Sequence, residues 1–377
     1  MKTFPVIHRI RSRNPLGIGG FSLPELLVSI AILSLLMLFT FQMMEQTQRT
    51  WLLAKETTSS YKEARAAFEV MTRRLSQATL NTYWGYDNPD NPREYEKKSE
   101  LHFLVVNAKE ALGEGPDGSR PGHAVFFNAP LGFTAESSPT GTPVYSNMEM
   151  LLNSWGYFVE FSSDENDRPS FLNKNNTIKK RLRYRLMEFR QPSESLSIYQ
   201  DPPLSGRSSK TQIYDWFAKG QTGVNASVNR SASLGPKDVR TVRPVAENII
   251  ALVLAPRLPE FDRNDPDFIA PNFVYDTREF QWGQKSDKRV ELSKHQLPPL
   301  MQVTMVAVDE NDMARWLTTN GQREPNFVSD SLFKSQRSLE QDLESLNRDM
   351  LDQKVRHRVF TTTIRMRESK WTEDPDN

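Results

Sequence analysis

The chain has 377 residues, with 37% hydrophobic and 25% charged residues, the composition of a folded, water-soluble body longer than one average domain. Its formal charge of +1 gives no global basic field for nucleic acid, and the absence of cysteine excludes disulfides, thiolate metal sites and a cysteine nucleophile. The five histidines, His8, His102, His123, His295 and His357, lie far apart, so no spacing sets two ligands on one helical face for zinc.

The charge is unevenly placed. Residues 1–20 carry Lys2, Arg9, Arg11 and Arg13 and no acid, leaving 44 basic against 47 acidic residues for the rest. A long apolar stretch follows, uncharged from Leu26 to Phe41 and, counted from Phe21, about the ~20 residues that a helix needs to cross the hydrocarbon core. Three readings fit a basic leader before an apolar span. A cleaved signal peptide needs a small-residue site after the span, yet Gln42-Met43-Met44-Glu45 stands there. An uncleaved anchor needs none. In either case the basic flank places the N-terminus in the cytoplasm.

The third reading accounts for the glycines and for Glu25, the one carboxylate at the head of the span. Gly19-Gly20 followed by Phe21-Ser22-Leu23-Pro24-Glu25-Leu26-Leu27 resembles the processing site of the type IV filament family, the type IV pilins and the pseudopilins of type II secretion. The resemblance implies cleavage by a prepilin peptidase between Gly20 and Phe21 and methylation of the new Phe21 terminus. It also implies a mature fifth residue, Glu25, that pairs with the N-terminal amine of a neighbouring subunit and sets axial register. A carboxylate at mid-bilayer costs about 2.5 to 3.5 kcal/mol on insertion scales, and less near an interface, so it calls for a partner. Ser22 through Glu25 also fits a helix-capping box, with Pro24 in the first turn where no amide is missed. Both roles can hold together.

No proline or glycine occurs between Leu26 and Trp84, and Ala64, Phe68, Met71, Leu75 and Ala78 recur at three- and four-residue steps. The pattern predicts one helix over about Leu23–Leu80, weakest at Thr57-Thr58-Ser59-Ser60. The expected organisation is a leader (1–20), a transmembrane and assembly helix (21–44), a helical stalk (45–84) and an α+β globular domain with long loops (85–377).

Within that domain, short alternating or apolar runs predict strands at Leu101–Val106, Ala124–Asn128, Trp155–Phe161, Arg181–Phe189, Ile249–Leu254, Leu300–Val308 and Val355–Met366. An amphipathic helix through Leu339, Leu343, Leu346 and Met350 precedes the last strand. One long helix followed by an antiparallel sheet is an α+β fold. The runs "RLRYRLMEF", "AENIIALVL" and "LPPLMQVTMVAV" paired with "HRVFTTTIRMRES" resemble the minor-pseudopilin sheet, which implies a pilin-like fold. The layout is also similar to the pilin-like proteins of the Verru_Chthon cassette, member C.

No nucleophile elbow, Walker loop or dinucleotide fingerprint occurs, so no enzyme is expected, and catalytic residues and cofactors are none. The acidic turns Asp87–Asn91, Asp164–Asp167 and Asp262–Asp267 could offer calcium oxygen ligands but lack EF-hand spacing, and Asx-rich turns form without metal. Trp155, Tyr157, Val159 and Phe161 alternate onto one face, which reads as a half-buried strand rather than a stacking platform. Arg181, Arg183 and Arg185 form either a solvated face or a partner contact. The expected partners are the peptidase, other pilin-like subunits and membrane lipid. The alternative is an enzyme or binding module held by a single-pass, uncleaved anchor.

Overall fold

The computed structural model describes residues 22–135, 145, 147–168, 170–173, 179–199, 215–218, 224–225, 240–259, 269–278 and 294–370. It divides into two compact units, Met1–Glu56 and Thr57–Asn377.

Helix α1 covers Leu23–Leu75. It stops five residues short of the expected end because its last turn tightens: Gln77 N–H donates to Arg74 and Ala78 N–H to Leu75. Thr79 N–H then leaves the helix axis to donate to Asn128 O at 2.8 Å. In the second unit, Ala64, Phe68, Met71 and Leu75 form the buried stripe that their spacing dictates.

Among the described residues the strands of the body pair only antiparallel. Strands β3 (Leu104–Asn107), β4 (His123–Pro130), β5 (Leu152–Ser163), β6 (Leu182–Gln191), β7 (Val242–Glu247) and β9 (Tyr275–Asp276) make a six-stranded sheet in the order β7-β6-β5-β4-β3-β9. Strands β8 (Ile249–Arg257), β10 (Leu300–Val308) and β11 (His357–Arg365) make a second sheet in the order β11-β10-β8. A separate ribbon pairs β1 (Tyr83–Tyr86) with β2 (Tyr95–Lys98). The fold is therefore mixed helix and antiparallel sheet, with all seven expected strands present, but these divide between two sheets rather than one, and the β1–β2 ribbon is an addition to them.

Two apolar clusters explain the division. The larger gathers the α1 stripe, one face of the six-stranded sheet, the three-stranded sheet and Leu339, Leu346 and Met350 of the helix Leu339–Asp352. The smaller covers the opposite face, where Phe126, Phe158, Met187 and Phe189 meet Trp216 and Phe217 of the short helix Asp215–Ala218. Trp155, Tyr157, Val159 and Phe161 do share a face, but β5 is not half-buried, because Phe158 and Glu160 on its other face are buried too. Strand β8 is buried almost throughout, which is why its sequence IIALVLA reads as a continuous apolar run.

Close approach of β4 to β8 relies on Gly122. At φ +75° it occupies a backbone region that disfavours side chains, and a Cβ there would lie 2.6 Å from Leu252 O. The neighbouring His123 then reaches the free edge of β8. Its Nδ1 accepts from Leu254 N–H at 3.1 Å and its Nε2–H donates to Phe333 O at 3.1 Å. This fixes a neutral tautomer and occupies an edge amide that would otherwise be unpaired.

Candidate assembly helix and its acidic head

Glu25 occupies the first turn of α1. Ser22 stands just before the helix and its carbonyl accepts the first helical bond, from Leu26 N–H at 3.1 Å. The Glu25 carboxylate turns back on Ser22, where Oε2 accepts from Ser22 N–H at 3.1 Å and from Ser22 Oγ–H at 3.0 Å. This is half of a capping box, since the serine hydroxyl donates to the glutamate side chain instead of accepting the backbone amide of that same third helical residue. The negative charge also complements the amide end of the helix dipole. Gly20 and Phe21, the expected cleavage and methylation positions, lie outside the described residues.

Leu23–Leu52 is a 30-residue stretch long and apolar enough to cross a membrane, and none of its side chains is buried. From Ser22 to Met44 its only ionisable group is Glu25. Its hydroxyls are spent on its own backbone: Ser29 donates to Glu25 O at 2.7 Å, Ser34 to Ala31 O at 2.9 Å and Thr40 to Met37 O at 2.8 Å. Such internal satisfaction is what a helix surrounded by hydrocarbon requires.

The end of α1 is tied to the body by a polar cluster that sequence reasoning did not find. Glu188 on β6 is fully buried and contacts Arg74 through Oε1. The same oxygen accepts from Tyr157 OH at 3.0 Å and Trp155 Nε1–H at 3.1 Å, while Oε2 accepts from Arg243 Nε–H at 2.7 Å. Burial, followed by the Glu188 charge, pushes the Tyr157 phenol well up, so it stays a donor. The signal was the core-facing charge in "RLRYRLMEF", but its partners lie 31 to 114 residues away and only the folded chain supplies them.

Of the three arginines expected on one face, Arg183 and Arg185 on β6 are not solvated, whereas Arg181, just before the strand, is exposed. Arg183 and Arg185 are buried, Arg183 Nη2 lies 3.0 Å from Glu310, and Arg185 Nε lies 3.4 Å from Glu247. Arg181 Nη2 joins Glu310 at 2.9 Å. These acids border a cavity of about 270 Å³ that Glu63, Pro244, Ala246 and Val308 also line. Burial, then the nearby Glu247 and Glu310 charges, raises the Glu63 carboxyl above its ordinary value. The site offers charge balance but no nucleophile and base in contact.

The described acidic turns are occupied by protein groups. Asp87 Oδ1 accepts from Arg93 N–H at 2.9 Å and Glu94 N–H at 3.3 Å. Asp164 Oδ2 pairs with Arg168 at 2.7 Å and its Oδ1 accepts from Arg181 N–H at 2.8 Å. Asp167 faces Arg185 and Arg240. Among the described residues no group of three His, Asp or Glu converges on a metal-sized point. Asp262–Asp267 lies outside the described residues.

No protein-family model matches this chain, and no curated protein matches it in sequence.

Proposed function

We propose that this chain is a pilin-like structural subunit of the minor pseudopilin type. On this reading its N-terminus enters the cytoplasmic membrane facing the cytoplasm, a prepilin peptidase cuts between Gly20 and Phe21, and Phe21 is methylated. The subunit then packs through its apolar helix with other pilin-like subunits into a pilus, a secretion filament or a tip complex. The body lies on the extracytoplasmic side.

One observation carries the proposal: a single carboxylate sits in the first turn of a helix whose first 30 residues, Leu23–Leu52, leave their apolar side chains exposed. Exposure of that extent has a purpose only against lipid or other helices. Glu25 is the fifth residue after Gly20, at the head of the buried layer such packing would create. A neighbour's Phe21 amine in that layer supplies a charge-assisted partner.

The runner-up, a binding module or enzyme on an uncleaved tether, draws on the bonds from Ser22. They already satisfy one Glu25 oxygen, so capping alone gives the residue a use. N-terminal peptide mass spectrometry on protein made in its native cell separates the two. A terminus at Phe21, methylated or not, is the expected result. An intact Met1 terminus beside an active prepilin peptidase would overturn the proposal.

A further inference from the structure

The rings of β5, Trp155, Tyr157 and Phe161, belong to the core rather than to a stacking platform. The structure does bury them, yet it exposes a different set. In the described body, six aromatic side chains stand out in solvent, and four of them, Tyr83, Trp84, Tyr86 and Tyr95, belong to the short β1–β2 ribbon. An exposed aromatic cluster confined to one small element marks a binding surface more often than a packing accident.

Register arranges the rings. Trp84 pairs with Lys97 and Tyr86 with Tyr95, so these four residues share one face, while Tyr83, Gly85, Glu96 and Lys98 share the other. On the aromatic face Trp84 is 64%, Tyr86 48% and Tyr95 65% exposed. The two tyrosine rings lie 5.0 Å apart at an interplanar angle of 31°, with their hydroxyls 3.4 Å apart. Lys97 Nζ lies 5.4 Å from the Trp84 ring centre.

The platform is rigidly mounted, although a two-stranded ribbon is marginal alone. Tyr83 OH donates to Glu100 at 2.7 Å, Lys294 holds Glu96 at 2.7 Å, and Thr82 donates to His295 O at 2.7 Å. On the same reverse face Lys98 Nζ donates to Tyr86 O, with its stem lying 3.1 Å from where a Gly85 Cβ would stand. Asp87 closes the tip by accepting the Arg93 and Glu94 amides. The anchoring is thus on one side and the rings are on the other.

We propose that the face carrying Trp84, Tyr86 and Tyr95 binds a neutral polysaccharide of β-linked, glucose-type pyranose rings by stacking. Charge selects this partner. The ribbon carries four acids, Asp87, Asp90, Glu94 and Glu96, against three bases, Arg93, Lys97 and Lys98. It lacks the excess positive charge that a nucleic-acid strand or an anionic membrane demands. Area argues against a protein partner: three rings exposed to this degree offer on the order of 350 Å², well short of the ~800 Å² per side of a stable protein interface. A pyranose with equatorial hydroxyls presents a flat C–H face to a ring and directs its hydroxyls sideways. The exposed turn between the two strands carries Asn88, Asp90 and Asn91, side chains able to hydrogen-bond such hydroxyls.

The test is calorimetric titration of the full chain in lipid nanodiscs, free of sugar-based detergent, with the β-1,4-linked hexamers of glucose and of N-acetylglucosamine. At least one hexamer should bind. Trp84→Ala and the pair Tyr86→Ala with Tyr95→Ala should each weaken binding by about tenfold while thermal unfolding is unchanged. Trp84→Phe, which keeps a ring, should retain most of the affinity and keeps the test open if Trp84→Ala misfolds. The proposal is overturned if neither hexamer binds at millimolar concentration, or if binding is indifferent to these substitutions. It is equally overturned if the same substitutions instead abolish adsorption to phosphatidylglycerol vesicles or self-association of the chain.

Discussion

The span Leu23–Leu52 leaves every apolar side chain exposed, whereas the body buries most of its apolar residues and also Glu160, Glu188, Arg120 and Arg185. The two regions treat a carboxylate in opposite ways. Glu25 stands at the surface of its unit with one serine for company, and Glu188 is enclosed by two arginines, a tyrosine and a tryptophan. A charge enclosed with its partners is structural. On the proposed reading, a charge left in the open on an apolar helix keeps its second oxygen for a partner outside the chain.

Substitution sharpens the contrast most at these two glutamates. Glu188→Ala leaves the buried Tyr157 and Trp155 donors without their acceptor and removes the counter-charge of the half-buried Arg74 and Arg243, which together should cost about 3 to 5 kcal/mol, read as a lower urea midpoint for the body. Glu25→Ala should leave that midpoint where it is and, on the proposed assembly role, abolish incorporation into filaments. Equal midpoints for the two variants would erase the distinction between them. The same logic applies to apolar residues: Phe68→Ala, at the buried stripe against Phe360, should cost about 3 to 5 kcal/mol. Leu33→Ala in the exposed span should not alter unfolding of the body.

Acid offers a second way to separate the regions, with a somewhat smaller effect. Burial holds His123 down at about 4 against an ordinary 6.5, and the Phe333 carbonyl only partly opposes that shift. The folded state then binds fewer protons than the unfolded chain between those values. The stability contributed by neutral His123 is complete above about pH 6.5 and is lost as pH falls toward 4, reaching about 3 kcal/mol. His295, lowered to about 4 by burial and then by Lys294, steepens the same limb. Urea midpoints measured from pH 7 to 4.5 should fall, and His123→Gln should flatten the fall. Helicity of the span, which has no histidine, should persist across the range.

What was legible in the sequence follows the same division. The span needed only composition, because every residue in it meets the same surroundings. Strands such as β8 and β10 were legible because their apolar runs are bounded by turn residues. The β1–β2 ribbon was missed because Gly85 and the Asn-Pro turns masked four-residue strands with no apolar face to bury. The helix Glu310–Thr319 was missed although a local signal existed: Asp309 accepts from Asn311 and Asp312 amides at 3.0 and 3.2 Å, with Met313 and Leu317 buried one turn apart. The division into sheets, and the Arg74–Glu188 and Arg120–Glu160 pairs, depend on partners far away in sequence, where no local pattern reaches.

The smallest expected effect belongs to metal removal, and it bears on the acidic turns. Calcium binding would require Asp87 or Asp164 to turn carboxylate oxygens toward a shared point. Instead, Asp87 Oδ1 holds two backbone amides across its own turn, which keeps its carboxyl below the usual range. Asp164 divides its two oxygens between an arginine and an amide. A cation at either turn would have to displace these donors without gaining a third carboxylate nearby. Thermal unfolding of the full chain should therefore be the same in calcium and in a chelator. A melting temperature that rises with calcium would mean that the turns rearrange around an ion, and that part of the body's stability comes from outside the chain.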